Sequence, residues 1–198
     1  MNRGRVEPER TTVILADPPW PHANGSRTNS GKSPKYRLMN LREIAAIGPT
    51  VKGVAGNNAV LFLWATTPHL PGALDVVKAW GFVYRSLHVW RKKKIACGFW
   101  ARSNAELVVI AERGRPTGPS PSLILPTIFD GEAEEKIHSA KPGVMHGLID
   151  IQWPRSRKVE LFARRLRRGW ECYGSSVGFI IGPDGIREMD DQTTHDWR

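Results

Sequence analysis

Residues 11–20 read TTVILADPPW. Thr11 to Ala16 is a run of β-branched and apolar side chains, the composition of a strand covered on both faces. It stops at Asp17, because Pro18 and Pro19 have no N–H to donate and cannot continue a central strand. The reading is a buried strand that ends in a turn and carries a carboxylate at its carboxyl end.

Working outward, residues 21–35 are rich in Gly, Ser, Asn and Lys, a surface loop of the length usually kept for function, able to close over a ligand. Leu41 to Ile47 predicts a short helix, and Ala59 to Trp64 (AVLFLW) a second buried strand. Pro71 to Trp80 puts Leu74, Val77 and Trp80 on one helical face, with Gly81 as the stop. Phe82 to Trp90 and Ala105 to Glu112 read as strands, and the loop between them holds Arg91 to Lys94 and Gly98-Phe99-Trp100. Residues 114–121 are rich in Pro and Gly and irregular. Val144 to Gln152 reads as a helix, Lys158 to Ala163, Gly169 to Gly174 and Val177 to Ile181 as late strands, and the chain from Pro183 as a polar, frayed tail. Strands alternating with short helices predict a doubly wound α/β sheet in one domain over residues 1–182, with a tail at 183–198. In such sheets ligands bind beyond the carboxyl ends of the strands, where Asp17 lies.

The 198 residues suffice for one domain with a core. No apolar stretch reaches the roughly 18 to 20 residues needed to cross a bilayer, and the charged N-terminus does not resemble a signal peptide, so an intracellular protein is expected. Cys97 and Cys172 are too few for a disulfide framework or a four-cysteine zinc site and are expected to be reduced thiols. The histidines show no metal-ligand spacing, and no metal is expected. The formal net charge of +10 points toward polyanions, with basic runs at Arg91 to Lys94, Arg155 to Lys158 and Arg164 to Arg168. A charge run by itself is as often a solvated face.

Asp17-Pro18-Pro19-Trp20 could be only a strand-ending turn with a packing tryptophan. It could also do chemistry. Methylating an aromatic amine is difficult because the nitrogen lone pair is delocalised into the ring, so acceptors must converge on the amino protons. Asp17 offers a carboxylate, the Pro18 carbonyl can point into the same space, and Trp20 offers a face for base stacking.

The chain resembles the DPPW-type adenine-N6 methyltransferases, the family that holds the catalytic subunit of the eukaryotic messenger-RNA methyltransferase and bacterial and phage DNA enzymes. The resemblance rests on VILADPPW at 13–20, KYRLMNLREI at 35–44, VLFLWAT at 60–66, AWGF at 79–82, GFWARSNAELVVIAERG at 98–114, HSAKP at 138–142 and RKVELFARRLRRGWECYG at 157–174, in the family order. It implies a Rossmann-like S-adenosylmethionine-dependent methyltransferase fold with permuted motifs, the catalytic block preceding the cofactor strand. It implies catalytic roles for Asp17, Pro18, Pro19 and Trp20. Substrate contacts would come from Tyr36, Trp90, Trp100 and Glu106. Cofactor contacts would come from Asp17, Lys141, Glu160, Phe162, Arg164, Arg167 and Ser175, with Lys141 on the methionine carboxylate and Arg164 and Arg167 beside the ribose. One departure stands out: relatives commonly carry Asn and then Glu or Gln after Gly174, where this chain has Ser175 and Ser176, whose reach is shorter.

The expectation is therefore an S-adenosylmethionine-dependent enzyme that methylates adenine in nucleic acid, DNA in preference to RNA, in the cytoplasm of a bacterium or phage-infected cell. An RNA methyltransferase, a non-catalytic nucleic-acid-binding partner of the same fold and a small-molecule amine methyltransferase are the competing readings. A partner subunit or a homodimer is left open.

Overall fold

The computed structural model describes residues 11–21, 37–95, 100–119, 121–132 and 141–190. Seven strands form the central sheet: β1 (Thr12–Ala16), β2 (Ala59–Thr66), β3 (Val83–Arg91), β4 (Ala105–Arg113), β5 (Ile128–Asp130), β6 (Arg157–Leu161) and β7 (Glu171–Tyr173), in the order β5-β3-β4-β2-β1-β6-β7. β4 runs antiparallel to both β2 and β3, and the other pairs are parallel. The expected α/β sheet is thus mostly parallel, with one reversed strand in its interior.

All five residues of β1 and seven of the eight in β2 are buried, which explains why both read as unbroken apolar runs. Their alternate side chains feed two cores. On one face Ile14, Ala16, Leu61 and Leu63 pack with helices α1 (Leu41–Ala46), α2 (Gly48–Ala55) and α3 (Leu70–Ala79) through Ile44, Val51, Val76 and Val77. On the other, Val13, Leu15, Phe62 and Trp64 pack with helix α4 (Val144–Gln152) through Met145 and Ile149, and with Trp153 beyond it. The result is a three-layer sandwich.

β1 is where the chain changes direction across the sheet: its first parallel neighbour, β2, lies on one side and the much later β6 on the other. The ladder continues one step past β1, as the Asp17 N–H donates to the Leu161 carbonyl at 3.3 Å. Asp17 therefore opens the crevice between β1 and β6, the switch point at which α/β sheets bind ligands.

Three parts of the fold differ from the sequence reading. α2 and β5 were not anticipated, and residues 183–190 are not a frayed tail. β8 (Phe179–Gly182) and β9 (Gly185–Glu188) form a hairpin, with Gly182 paired to Gly185 and Ile181 to Ile186. Ile181 is buried, Ile186 packs against the same core, and Thr50 Oγ1 of α2 donates to the Gly182 carbonyl at 2.5 Å and lies 3.2 Å from that of Pro183. Beyond Pro183, Ile186 stands alone among polar neighbours, so the segment reads as polar although Ile186 packs against the core.

Candidate active site

Asp17 is gripped from both sides. Lys141, just before α4, places Nζ 2.9 Å from Asp17 Oδ1, and Arg164, after β6, places Nη2 3.8 Å from Oδ2. Lys141 also lies 3.3 Å from Glu106 Oε2 of β4, and its ammonium sits 5.6 Å from the centre of the Trp64 ring. Burial disfavours charge on Lys141, but the attraction of Asp17 and Glu106 and the hydrogen bond to Asp17 outweigh burial and the repulsion of Arg164, so its pKa is raised. The ammonium stays charged throughout the neutral range. Lys92, which follows β3, bonds through Nζ to Glu106 Oε1.

Beside Asp17 lies a pocket that opens to solvent. Asp17, Arg37, Arg164, Ser175 and Ser176 supply its polar lining, and Pro19, Met39, Phe162, Phe179 and Ile180 much of its apolar wall. Two local features shape it. Phe162, at the end of β6, has φ 63°, a left-handed conformation that costs a non-glycine residue about 1 kcal/mol or more and turns the chain into the pocket wall. Gly174 closes β7 against that turn: a Cβ there would sit 2.5 Å from the Ala163 carbonyl oxygen and 2.6 Å from its nitrogen.

The opposite rim is fixed by a helix cap. The Asn40 side chain accepts from the Glu43 N–H at 3.0 Å while the Glu43 carboxylate accepts from the Asn40 N–H at 2.7 Å, a capping box that starts α1. Glu43 also accepts from Arg37 at 2.6 Å, and the Met39 N–H donates to the Pro19 carbonyl at 2.9 Å. The cap thus ties residues 37–39 to the turn that follows Asp17.

Of the residues named from sequence, the structure gathers Asp17, Pro19, Phe162, Arg164 and Ser175 around this pocket and joins Lys141 and Glu106 to it through ion pairs. Pro18 sits in the turn, its carbonyl accepting from the Trp20 N–H at 2.8 Å. Trp20 does not present the free face expected of it. Its indole is 9% exposed, donates to the Trp64 carbonyl at 2.8 Å and stacks on His69 at 5.7 Å, so it braces the turn from within the core. Burial lowers the His69 pKa, so that partner ring is neutral at pH 7. Trp90 is likewise buried and donates to the Gly131 carbonyl at 2.8 Å. Trp100 is fully exposed. Tyr36 lies outside the described residues.

Glu160 turns away from the pocket toward α4, where its carboxylate meets His146 Nε2 at 2.8 Å. Arg167 does not line the pocket either, and its buried Nε has no hydrogen-bond partner among the described residues. Cys172 is buried, and desolvation raises its thiol pKa. The basic run at Arg91 to Lys94 is largely neutralised within the chain: Arg91 makes two hydrogen bonds to Asp130, Lys92 pairs with Glu106 and Lys93 with Glu132. Sequence reasoning missed Lys92 as a site residue, along with Arg37, Met39 and the hairpin residues Phe179 and Ile180 on the pocket wall. A turn signal, Asp184-Gly185 between isoleucines, could have revealed the hairpin.

Residues 11–176 match the MT-A70 family profile. Among relatives, the Type II methyltransferase M.MunI of Mycoplasma sp is 27% identical over 91% of this chain and 81% of that protein. The N(6)-adenosine-methyltransferase MT-A70-like protein of Drosophila melanogaster is 27% identical over 90% of this chain and 28% of its own length. The N(6)-adenosine-methyltransferase catalytic subunit METTL3 of Homo sapiens is 24% identical over 90% of this chain and 29% of its own. The chain therefore spans most of the first relative and less than a third of the two animal proteins. With a matched region that runs from β1 to the segment just after β7, the chain belongs to the MT-A70 family.

Proposed function

We propose that this chain is an S-adenosylmethionine-dependent adenine-N6 methyltransferase acting on DNA. The observation that carries the reading is Asp17, a carboxylate at the β1/β6 switch point, held between two cations beside an open pocket. The likeness to the Type II methyltransferase M.MunI, 27% identical over 91% of this chain, supports the choice of DNA over RNA.

The residues present suit S-adenosylmethionine. Lys141 and Arg164 are cations for its carboxylate, Ser175 and Ser176 offer hydroxyls to its ribose, and Phe162, Phe179 and Ile180 form an apolar wall for its purine. When bound, the cofactor supplies a methyl group already activated on sulfonium.

The chain's own task is then positioning. Asp17 accepts a hydrogen bond from the adenine amino group, drawing the nitrogen lone pair out of the ring, and the second lone pair of the Pro18 carbonyl offers another acceptor. The amino nitrogen would gain the methyl group that the bound cofactor would supply, and Asp17 would take up the surplus amino proton. Trp20 and the cap at Asn40 keep the turn rigid while this happens. For the base to arrive at Asp17 it must be unstacked or already single-stranded.

The test is mass spectrometry of nucleosides from duplex DNA, single-stranded DNA and RNA after incubation with purified protein and labelled S-adenosylmethionine. Label in the methyladenine of DNA supports the reading, label confined to RNA favours the RNA enzyme, and label in none of the three overturns it.

A further inference from the structure

We propose that Lys92 is a positioning residue of the methyl-transfer site, which neutralises Glu106 and so leaves Lys141 to Asp17. The inference rests on the reading of Lys141 as the cation that meets the cofactor's carboxylate. Five charged side chains alternate in sign through contacts shown by the structure: Arg164, Asp17, Lys141, Glu106 and Lys92. They come from the ends of β6, β1, the α4 approach, β4 and β3, so the sheet itself spaces them.

Lys141 is the shared member. Two carboxylates face one buried ammonium, at 2.9 Å from Asp17 and 3.3 Å from Glu106. A buried carboxylate without compensation must either draw a cation closer or take up a proton. Glu106 is buried, and its cross-strand neighbours, Thr66 of β2 and Trp90 of β3, carry no charge. Its compensation comes from Lys141 and Lys92 alone among the described charged groups in contact with it, with Asp17 one step and Arg164 two steps further along the chain of pairs.

Lys92 is built for this task. Its N–H donates to the Asn104 carbonyl at 2.6 Å, closing the end of the β3–β4 pair. Its side chain then lies over the buried Trp90 ring, 5.1 Å from the centroid, and its ammonium rests on Glu106. Without it, Glu106 and Asp17 would compete for Lys141, and an incoming carboxylate would meet a site carrying one negative charge too many.

Titration calorimetry with S-adenosylhomocysteine at neutral pH tests this without any need for turnover. Lys92→Met binds about tenfold more weakly than the wild type. Lys92→Arg restores the wild-type affinity. In a Glu106→Gln background, Lys92→Met changes nothing further, because the charge it neutralises is gone.

A folded Lys92→Met protein whose affinity equals that of the wild type overturns the proposal. So does an equal effect of Lys92→Met with and without Glu106. Should Lys92→Met not fold, folding of Glu106→Gln/Lys92→Met supports the proposal and its failure to fold counts against it. A folded wild type that binds no S-adenosylhomocysteine is a different result, and overturns the methyltransferase reading itself.

Discussion

Lys141 Nζ lies 2.9 Å from Asp17 Oδ1, so the ammonium that precedes α4 and the carboxylate that ends β1 form one unit at the switch point of the sheet. Neither residue is isolated chemically: Asp17 gives the lysine its charge, and the lysine holds the aspartate in place. The pair has a thermodynamic signature. The Lys141 pKa is raised in the folded protein above its ordinary 10.5. A cation whose pKa is raised on folding contributes stability that is complete below 10.5 and is lost as pH rises through the folded value. Urea unfolding from pH 7 upward should show stability falling in the alkaline range, with a gentler fall in Lys141→Met. Identical alkaline slopes would remove the pair from the stability of the fold.

Gly174 is required by space. Gly174→Ala would place its Cβ 2.5 Å from the Ala163 carbonyl oxygen and 2.8 Å from the Phe162 carbonyl carbon, all backbone that cannot swing aside. The expected loss is about 1 to 3 kcal/mol in urea unfolding, as for overpacking elsewhere. Because the same turn carries Phe162 and Arg164, cofactor affinity should fall in parallel.

Trp20 acts through the core. Trp20→Phe keeps much of the ring packing on His69 but removes the donor to the Trp64 carbonyl, at a cost of about 1 to 3 kcal/mol. Thermal unfolding should register this loss, while KM for nucleic acid in the folded variant remains that of the wild type. A raised KM at unchanged stability would return Trp20 to the base-stacking role first read from its sequence.

Thr50 anchors the β8–β9 hairpin to α2 by contacts with two successive carbonyls. Thr50→Val keeps the shape and removes the donor, so stability should drop by about 1 kcal/mol. Hydrogen exchange should quicken in residues 179–188, and cofactor affinity should weaken because Phe179, Ile180 and Ile181 line the pocket.

What was legible in the sequence follows from how each feature is encoded. β1 and β2 were visible because strands buried on both faces need no alternation, only a run of apolar residues with a sharp stop. α4 was visible from its amphipathic spacing and matches the expected range of residues. α2 was not: Gly48, Pro49 and Gly53 read as turn residues, although Pro49 sits at the helix start where its missing N–H does no harm. Asp17 was legible as the carboxylate that ends β1, Lys141 and Arg164 were found through the resemblance, and the structure brings both cations to Asp17. The burial of Trp20 and Trp90 could not be read locally, since it depends on carbonyls contributed by Trp64 and Gly131. Lys92 was hidden in a basic run, because an ion pair between adjacent strands leaves no local signature in the chain.

The central claim is that the Asp17 carboxylate directs methyl transfer to the adenine amino nitrogen, and the most direct test locates the transferred label. Wild type and Asp17→Asn are each incubated with labelled S-adenosylmethionine and DNA, and the nucleosides are resolved by mass spectrometry, with S-adenosylhomocysteine binding measured alongside. The account predicts N6-methyladenine from the wild type and at least about a hundredfold less from Asp17→Asn, which keeps the shape but loses the anionic acceptor. Label on another atom or base, or an Asp17→Asn variant as active as the wild type, would contradict it.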